Sequence, residues 1–134
     1  MSEVRLIERG RMGRVAYARI APNEDLVGAV EKVCVAQGFR NAFVRGALGS
    51  LTDACLENAD GSPQRIGGPA IEIVSLAGEV RTRPDGSARA ALTGVVADTE
   101  GHLHGGPFVA GANPVCVTFE ITLEEWLPST DQDR

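Results

Sequence analysis

Most of this chain alternates apolar and polar residues with the two-residue period of a β-strand that is buried on one face. Residues 71–83 and 87–98 show the alternation on either side of a Pro-Asp-Gly turn. It is longest in residues 113–126, where it predicts one apolar face formed by Val115, Val117, Phe119, Ile121 and Leu123. Shorter segments of the same kind are residues 14–21, 41–50, 51–58 and 102–111.

One segment, residues 22–38, has the period of a helix instead. Asn23 is the predicted N-cap, with the acidic Glu24 and Asp25 in the first turn, and Gly38 is the predicted C-cap. The apolar residues at helical spacing, which are expected to face the core, are Leu26, Val27, Val30, Val33 and Cys34.

The order of strand, helix and then about six strands joined by short turns predicts an α+β fold with a mostly antiparallel sheet and one main helix. A length of 134 residues fits one domain. We divide the chain into residues 1–12, a basic arm or first strand, residues 13–127, the domain itself, and residues 128–134, a flexible tail.

The charge of the chain changes the picture of its partners. The net charge is −5, whereas nucleic-acid binders usually carry a basic excess. Five arginines nevertheless crowd the first twenty residues, and Arg9-Gly10-Arg11 resembles the core of an AT-hook without its proline. Arg9, Arg11 and Arg14 are therefore candidate DNA contacts, and exposed arginines at the entry to a strand are the alternative.

The three cysteines are widely spaced and form no CxxC pair, which is typical of reduced cytoplasmic proteins. No N-terminal apolar segment resembles a signal peptide, and no apolar run reaches the ~18 residues of a membrane span. We expect a cytoplasmic protein with no contact with a membrane.

Several segments in order resemble the PPC domain (plants and prokaryotes conserved, also written PCC): residues 22–56, then IEIVSLAGEV, then ADTEGHLHGGPFVAG, then VTFEI. The resemblance covers Gly13 to Leu127. It implies an antiparallel α+β fold related to that of acetolactate decarboxylase, a tight homotrimer and a free-standing prokaryotic member. Plant members are transcriptional regulators that use the domain to trimerise and to recruit other factors.

The resemblance also implies a zinc site made by three histidines, as in the acetolactate decarboxylase fold. In this chain the corresponding positions are Ala91, Thr93 and Pro107, so we expect no metal cofactor. The two histidines present, His102 and His104, fall at other positions. At i and i+2 on a strand they could share a metal with Asp98, Glu100 or a second subunit, but a solvated strand or a subunit interface explains them more simply.

Two charged residues interrupt apolar strands: Arg45 in AFVRGAL and Glu72 in AIEIV. A buried arginine needs a partner, and Glu72 is the predicted one. This pair would be structural, or with His102 and His104 it would line a ligand pocket between subunits. A solvated or paired strand carboxylate is the alternative for Glu72.

Two functions follow. The first is a non-enzymatic homotrimeric regulatory module that associates with DNA or with another regulatory protein. The second is a small-molecule-binding or lyase-like protein with an inter-subunit pocket and a degenerate metal site. The missing histidines favour the first, and no residue is assigned a catalytic role.

Overall fold

The computed structural model describes residues 3–130 and contains one helix and eight strands within them. The helix is α1 (Leu26–Gln37). The strands are β1 (Gly10–Ile20), β2 (Asn41–Leu51), β3 (Ala54–Glu57), β4 (Pro63–Ile66), β5 (Ile71–Thr82), β6 (Ala88–Ala97), β7 (Leu103–Pro107) and β8 (Val115–Pro128). Part of the predicted tail, residues 131–134, lies outside the described residues.

Six strands form one antiparallel sheet in the order β1-β8-β2-β5-β6-β7, and β3 and β4 pair as a separate hairpin. The predicted mostly antiparallel α+β fold with one helix is confirmed. The first strand begins at Gly10, earlier than the alternation indicated, so part of the predicted basic arm is already sheet. Strand β4 was not predicted from the sequence.

The N-cap of the helix is Asp25, two residues later than the predicted N-cap, Asn23. The Asp25 carboxylate accepts the backbone N–H of Gly28 at 3.0 Å, as a cap does. It also accepts the N–H of Gly111 at 2.9 Å and of Asn113 at 3.0 Å, so it ties the helix to the loop before β8. Asn23 instead has a φ of 72°. Gly38 is the C-cap, as predicted, with a φ of 72°.

The apolar core lies on one face of the six-stranded sheet, beneath α1. The predicted helical residues Leu26, Val27, Val30 and Cys34 are buried there. On β8, Phe119, Ile121 and Leu123 are fully buried, as the alternation predicted. Val117 is the exception, because the pairing of β2 and β8 is irregular between Gly49 and Leu51, and its side chain is 70% exposed.

The other face of the sheet is turned away from α1 and from this core. Large apolar side chains stand exposed on it along several strands, alternating with the core residues: Val15, Tyr17, Leu48, Val74 and Leu103. We call these five residues the apolar outer face. A soluble domain seldom leaves such a surface in water unless something binds there.

Candidate functional site

The two histidines converge on one carboxylate, Asp98, in the turn between β6 and β7. His104 Nε2 lies 2.9 Å from Asp98 Oδ2, and His102 Nδ1 lies 3.6 Å from the same oxygen. The other carboxylate oxygen of Asp98 accepts the backbone N–H groups of Glu100 and His102, each at 2.9 Å. Asp98 therefore holds the turn closed and contacts both imidazoles.

His104 connects this turn to the β3–β4 hairpin. Its Nδ1 lies 3.2 Å from the amide nitrogen of Gln64, which can only donate, so Nδ1 accepts and the ring proton sits on Nε2, facing Asp98. The hydrogen bond from His104, with those of the turn backbone, lowers the pKa of Asp98 to about 2.

Both ring nitrogens of His104 therefore lie within hydrogen-bonding distance of a neighbouring side chain. Among residues 3–130 no group of three or more histidine, cysteine, aspartate or glutamate side chains is arranged to hold a metal. The hydrogen bonds of Asp98 to Glu100, His102 and His104 hold the turn between β6 and β7 closed.

The predicted pair of Arg45 and Glu72 is wrong. Arg45 is largely exposed and its Nε lies 3.2 Å from Oε1 of Glu124 on the neighbouring strand β8. Glu72 lies opposite Ser50 on β2, five residues beyond Arg45 and therefore about 16 Å away along the strand. Arg45 can interrupt an apolar strand here because its side chain is largely exposed and paired with Glu124.

The four residues of the predicted pocket are not gathered in one chain. Glu72 on β5 pairs with Ala97 on β6, and Ala97 pairs with Leu103 on β7. Because paired residues point to the same face of a sheet, Glu72 and Leu103 share the outer face. His104, the residue after Leu103, points to the opposite face. The pocket therefore does not form within one chain.

The three arginines of the predicted DNA-contacting arm differ in their surroundings. Arg14 forms a two-bond pair with Glu125, with Nε and Nη2 each 3.0 Å from a carboxylate oxygen, and its guanidinium lies 5.0 Å from the centre of the Phe39 ring. It is therefore part of the framework. Arg9 and Arg11 are exposed and have no ion pair within residues 3–130.

The three positions that the resemblance assigned to metal ligands do come together. Thr93 and Pro107 are direct partners across β6 and β7, and Ala91 lies on the same strand and face as Thr93. All three line a cleft of about 500 Å³ between β6, α1 and residues 107–110. We call it the β6 cleft.

Comparison with known proteins decides the family. The model of the Plants and Prokaryotes Conserved (PCC) domain matches residues 7–127. The chain belongs to the PCC family. A curated relative, the bifunctional protein GlmU of Synechococcus sp. (strain JA-3-3Ab), is 33% identical over 114 residues, 85% of this chain but only 17% of that protein.

Solved structures share the PCC fold with this chain at low identity. A plant- and prokaryote-conserved protein from Pyrococcus horikoshii has a TM-score of 0.78 at 21% identity, covering 94% of this chain and 87% of that one. A metal-containing protein from Archaeoglobus fulgidus has a TM-score of 0.78 at 18% identity, covering 94% and 89%. A candidate DNA-binding protein from Bacteroides thetaiotaomicron has a TM-score of 0.71 at 14% identity, covering 87% and 83%.

The donors in this PCC chain do not fit the zinc that the resemblance implies. At its three positions alanine and proline offer no side-chain ligand, and the hydroxyl of Thr93 alone cannot replace a set of imidazoles. The absence of a metal cofactor stays a prediction.

The sequence reading missed the charged residues that line the β6 cleft beside these positions. Arg83 and Arg89 lie on either side of the Pro-Asp-Gly turn in RTRPDGSAR. The signal was present, because a tight hairpin brings residues that flank its turn together.

Proposed function

We propose that this PCC chain acts as a non-enzymatic homotrimeric module in the cytoplasm, which associates with DNA or with another regulatory protein. The apolar outer face is the observation that carries the proposal. Tyr17 is 70% exposed and Leu103 is 65% exposed, at opposite edges of the sheet. Burying such side chains between copies is worth on the order of 25 cal/mol per Å² of apolar surface.

A matched pair of valines tests the proposed assembly. Val74 stands 55% exposed on the outer face, and Val35 stands 64% exposed on α1, on the other side of the sheet. Val74→Glu should shift the protein from trimer to monomer in light scattering, because three carboxylates would enter the interface. Val35→Glu should leave the trimer intact. Equal masses for both variants would contradict the use of this face.

Arg9 and Arg11 support the association with DNA, since both are free of ion pairs in the described chain and three copies would stand on one trimer. Each free arginine can neutralise one phosphate, so binding should weaken steeply as salt rises. Two observations limit this role: the net charge of −5, and the use of Arg14 within the fold.

Fluorescence anisotropy with a labelled duplex at low and moderate salt tests the nucleic-acid part. We expect weak, salt-sensitive binding that is reduced in the Arg9→Gln, Arg11→Gln double variant. If the trimer ignores duplex DNA even at low ionic strength, contact with DNA fails and a protein partner becomes the role of the module.

The second candidate function is small-molecule binding, and the β6 cleft is the observation that favours it. Its volume of about 500 Å³ falls within the ~300–1,000 Å³ of ordinary ligand sites. Lyase chemistry, as in the acetolactate decarboxylase fold, has less support because the positions of the metal ligands carry Ala91, Thr93 and Pro107.

A further inference from the structure

We propose that the β6 cleft is a metal-independent binding site for a small organic oxyanion, held by the guanidinium groups of Arg83 and Arg89. This deepens the second candidate function, small-molecule binding at the β6 cleft, on which it rests, and it does not depend on the trimeric module. In this chain the two guanidinium groups would supply the positive charge that attracts the anion. They lie beside Ala91, Thr93 and Pro107, the three positions that the resemblance assigned to metal ligands.

The cleft exists because β7 covers only part of β6. Pairing between the two strands begins at Thr93 and Pro107, so the edge of β6 before Thr93 is left open. Phe108 N–H reaches back to the carbonyl of Leu92 at 2.9 Å, and the chain then turns away. The opening is bounded by α1 on one side and by residues 107–110 on the other.

Arg83 and Arg89 stand where two cavities adjoin. Both line the β6 cleft, and both line a neighbouring cavity of about 320 Å³ together with Glu79, Arg81 and Ala91. The register of the hairpin accounts for this grouping, because Arg81 lies directly opposite Arg89 and Arg83 follows two residues after Arg81. Three arginines therefore concentrate at one end of the β5–β6 hairpin.

Of these three arginines, only Arg81 is neutralised. It lies 2.8 Å from Glu8 and 3.1 Å from Glu79. No ion pair or guanidinium hydrogen bond involves Arg83 or Arg89 within the described chain. Arg83 interacts electrostatically with Asp85, whose Oδ1 accepts the backbone N–H of Ser87 at 2.9 Å and its hydroxyl at 2.7 Å.

Two unpaired guanidinium groups at one cleft are suited to a carboxylate or phosphate, which they can bind through paired hydrogen bonds. Two carboxylates also line the cleft. Glu31 accepts the backbone N–H of Ala90 at 2.8 Å, and Glu57 has no ion pair among residues 3–130. A second anionic group on the ligand would meet these carboxylates, so the ligand should carry its negative charge at one end only.

Calorimetric titration with three aromatic probes tests the proposal. Benzoate and phenyl phosphate each carry one anionic end and differ in its chemistry, and benzyl alcohol is the uncharged control. We expect one saturable site per chain for at least one anion and none for the alcohol, unchanged by EDTA. The tighter anion distinguishes a carboxylic acid from a phosphate ester as the natural ligand class.

Arg83→Gln and Arg89→Gln should each weaken the affinity for the anion by about tenfold, because each variant loses one charge-assisted hydrogen-bonding group. Arg65→Gln is the matched control, since Arg65 is an exposed arginine on β4 that lines neither cavity. Thermal unfolding of each variant verifies that the fold is kept. All of these measurements can be made on a trimer or a monomer, so a failed assembly prediction leaves them interpretable.

The proposal is overturned if neither anion binds at concentrations up to about 10 mM. It is equally overturned if Arg65→Gln weakens binding as much as the two cleft variants, because general charge would then explain the effect. Loss of binding with EDTA would show that a metal, and not the arginines, holds the anion.

Discussion

At the scale of single residues, the side chain of Asn113 connects β3 to the loop before β8. It is fully buried, its side-chain oxygen accepts the N–H of Cys55 at 2.8 Å, and its amide donates to the carbonyls of Cys55 at 3.1 Å and Val109 at 2.8 Å. Asn113→Ala should lower the free energy of unfolding by about 3 kcal/mol, because buried backbone groups lose their partners. Urea denaturation measures the change.

Asn58→Ala is the control for this prediction. Asn58 is exposed and its amide reaches only the hydroxyl of Ser62, at 3.1 Å. Its loss should change stability by less than about 0.5 kcal/mol. If the two variants were equally stable, the bonds of Asn113 would not be stabilising the loop before β8.

The lowered pKa of Asp98 predicts how the stability of the fold changes at acidic pH. The pKa of Asp98 is lowered to about 2 in the folded chain, first by the hydrogen bond from His104. An aspartate with a depressed folded pKa stabilises the fold fully above its ordinary value of ~3.9, and this stability is lost as the pH falls toward 2. His104→Ala should raise the pKa of Asp98, as followed by carboxyl carbon chemical shifts in NMR.

His102→Ala is the matched variant, because the charge of His102 is the smallest contributor to the lowered pKa of Asp98. It should move the titration of Asp98 less than His104→Ala does. A titration of Asp98 that is identical in the parent protein and the His104 variant would contradict the assigned hydrogen bond.

Residue partners were the part of the site that sequence reasoning predicted least well. His102 and His104 both contact Asp98, but His102 lies in the turn before β7 begins at Leu103, so strand alternation does not account for their shared partner. The partner of Arg45 is set by which strands are neighbours and by their register. Both β5 and β8 flank β2, and the sequence alone gave no means of choosing Glu124 over Glu72.

At the scale of elements, the start of α1 is held by Asp25. Asp25→Ala removes the acceptor for three backbone N–H groups, on Gly28, Gly111 and Asn113, and should destabilise the fold by about 2 kcal/mol. Glu24→Ala, at the adjacent exposed position, should have little effect. Chemical denaturation distinguishes the two, and a larger loss for Glu24→Ala would show that the cap is misassigned.

Strong periodicity made most elements predictable. The helix and the long strands β5, β6 and β8 were found because their apolar residues face one core. The N-cap was misplaced because two capping residues, Asn23 and Asp25, lie two positions apart, and contacts with a distant loop select the second. Strand β4 was missed because PQRI is too short and polar to show alternation.

At the scale of the whole molecule, one face of the sheet packs against the rest of the fold. The core and α1 occupy that side, whereas the apolar outer face extends from β1 to β7 on the other. Among the described residues no helix is long and apolar enough to cross a membrane. Association of three copies is the arrangement that the family resemblance implies for covering the open face.

Sedimentation equilibrium of the unmodified protein at micromolar concentration tests this account most directly. The account predicts a single species of about three times the 14.1 kDa of one chain, unchanged on moderate dilution. A stable species of one chain mass across the same range would contradict it, since the apolar outer face would then remain in water.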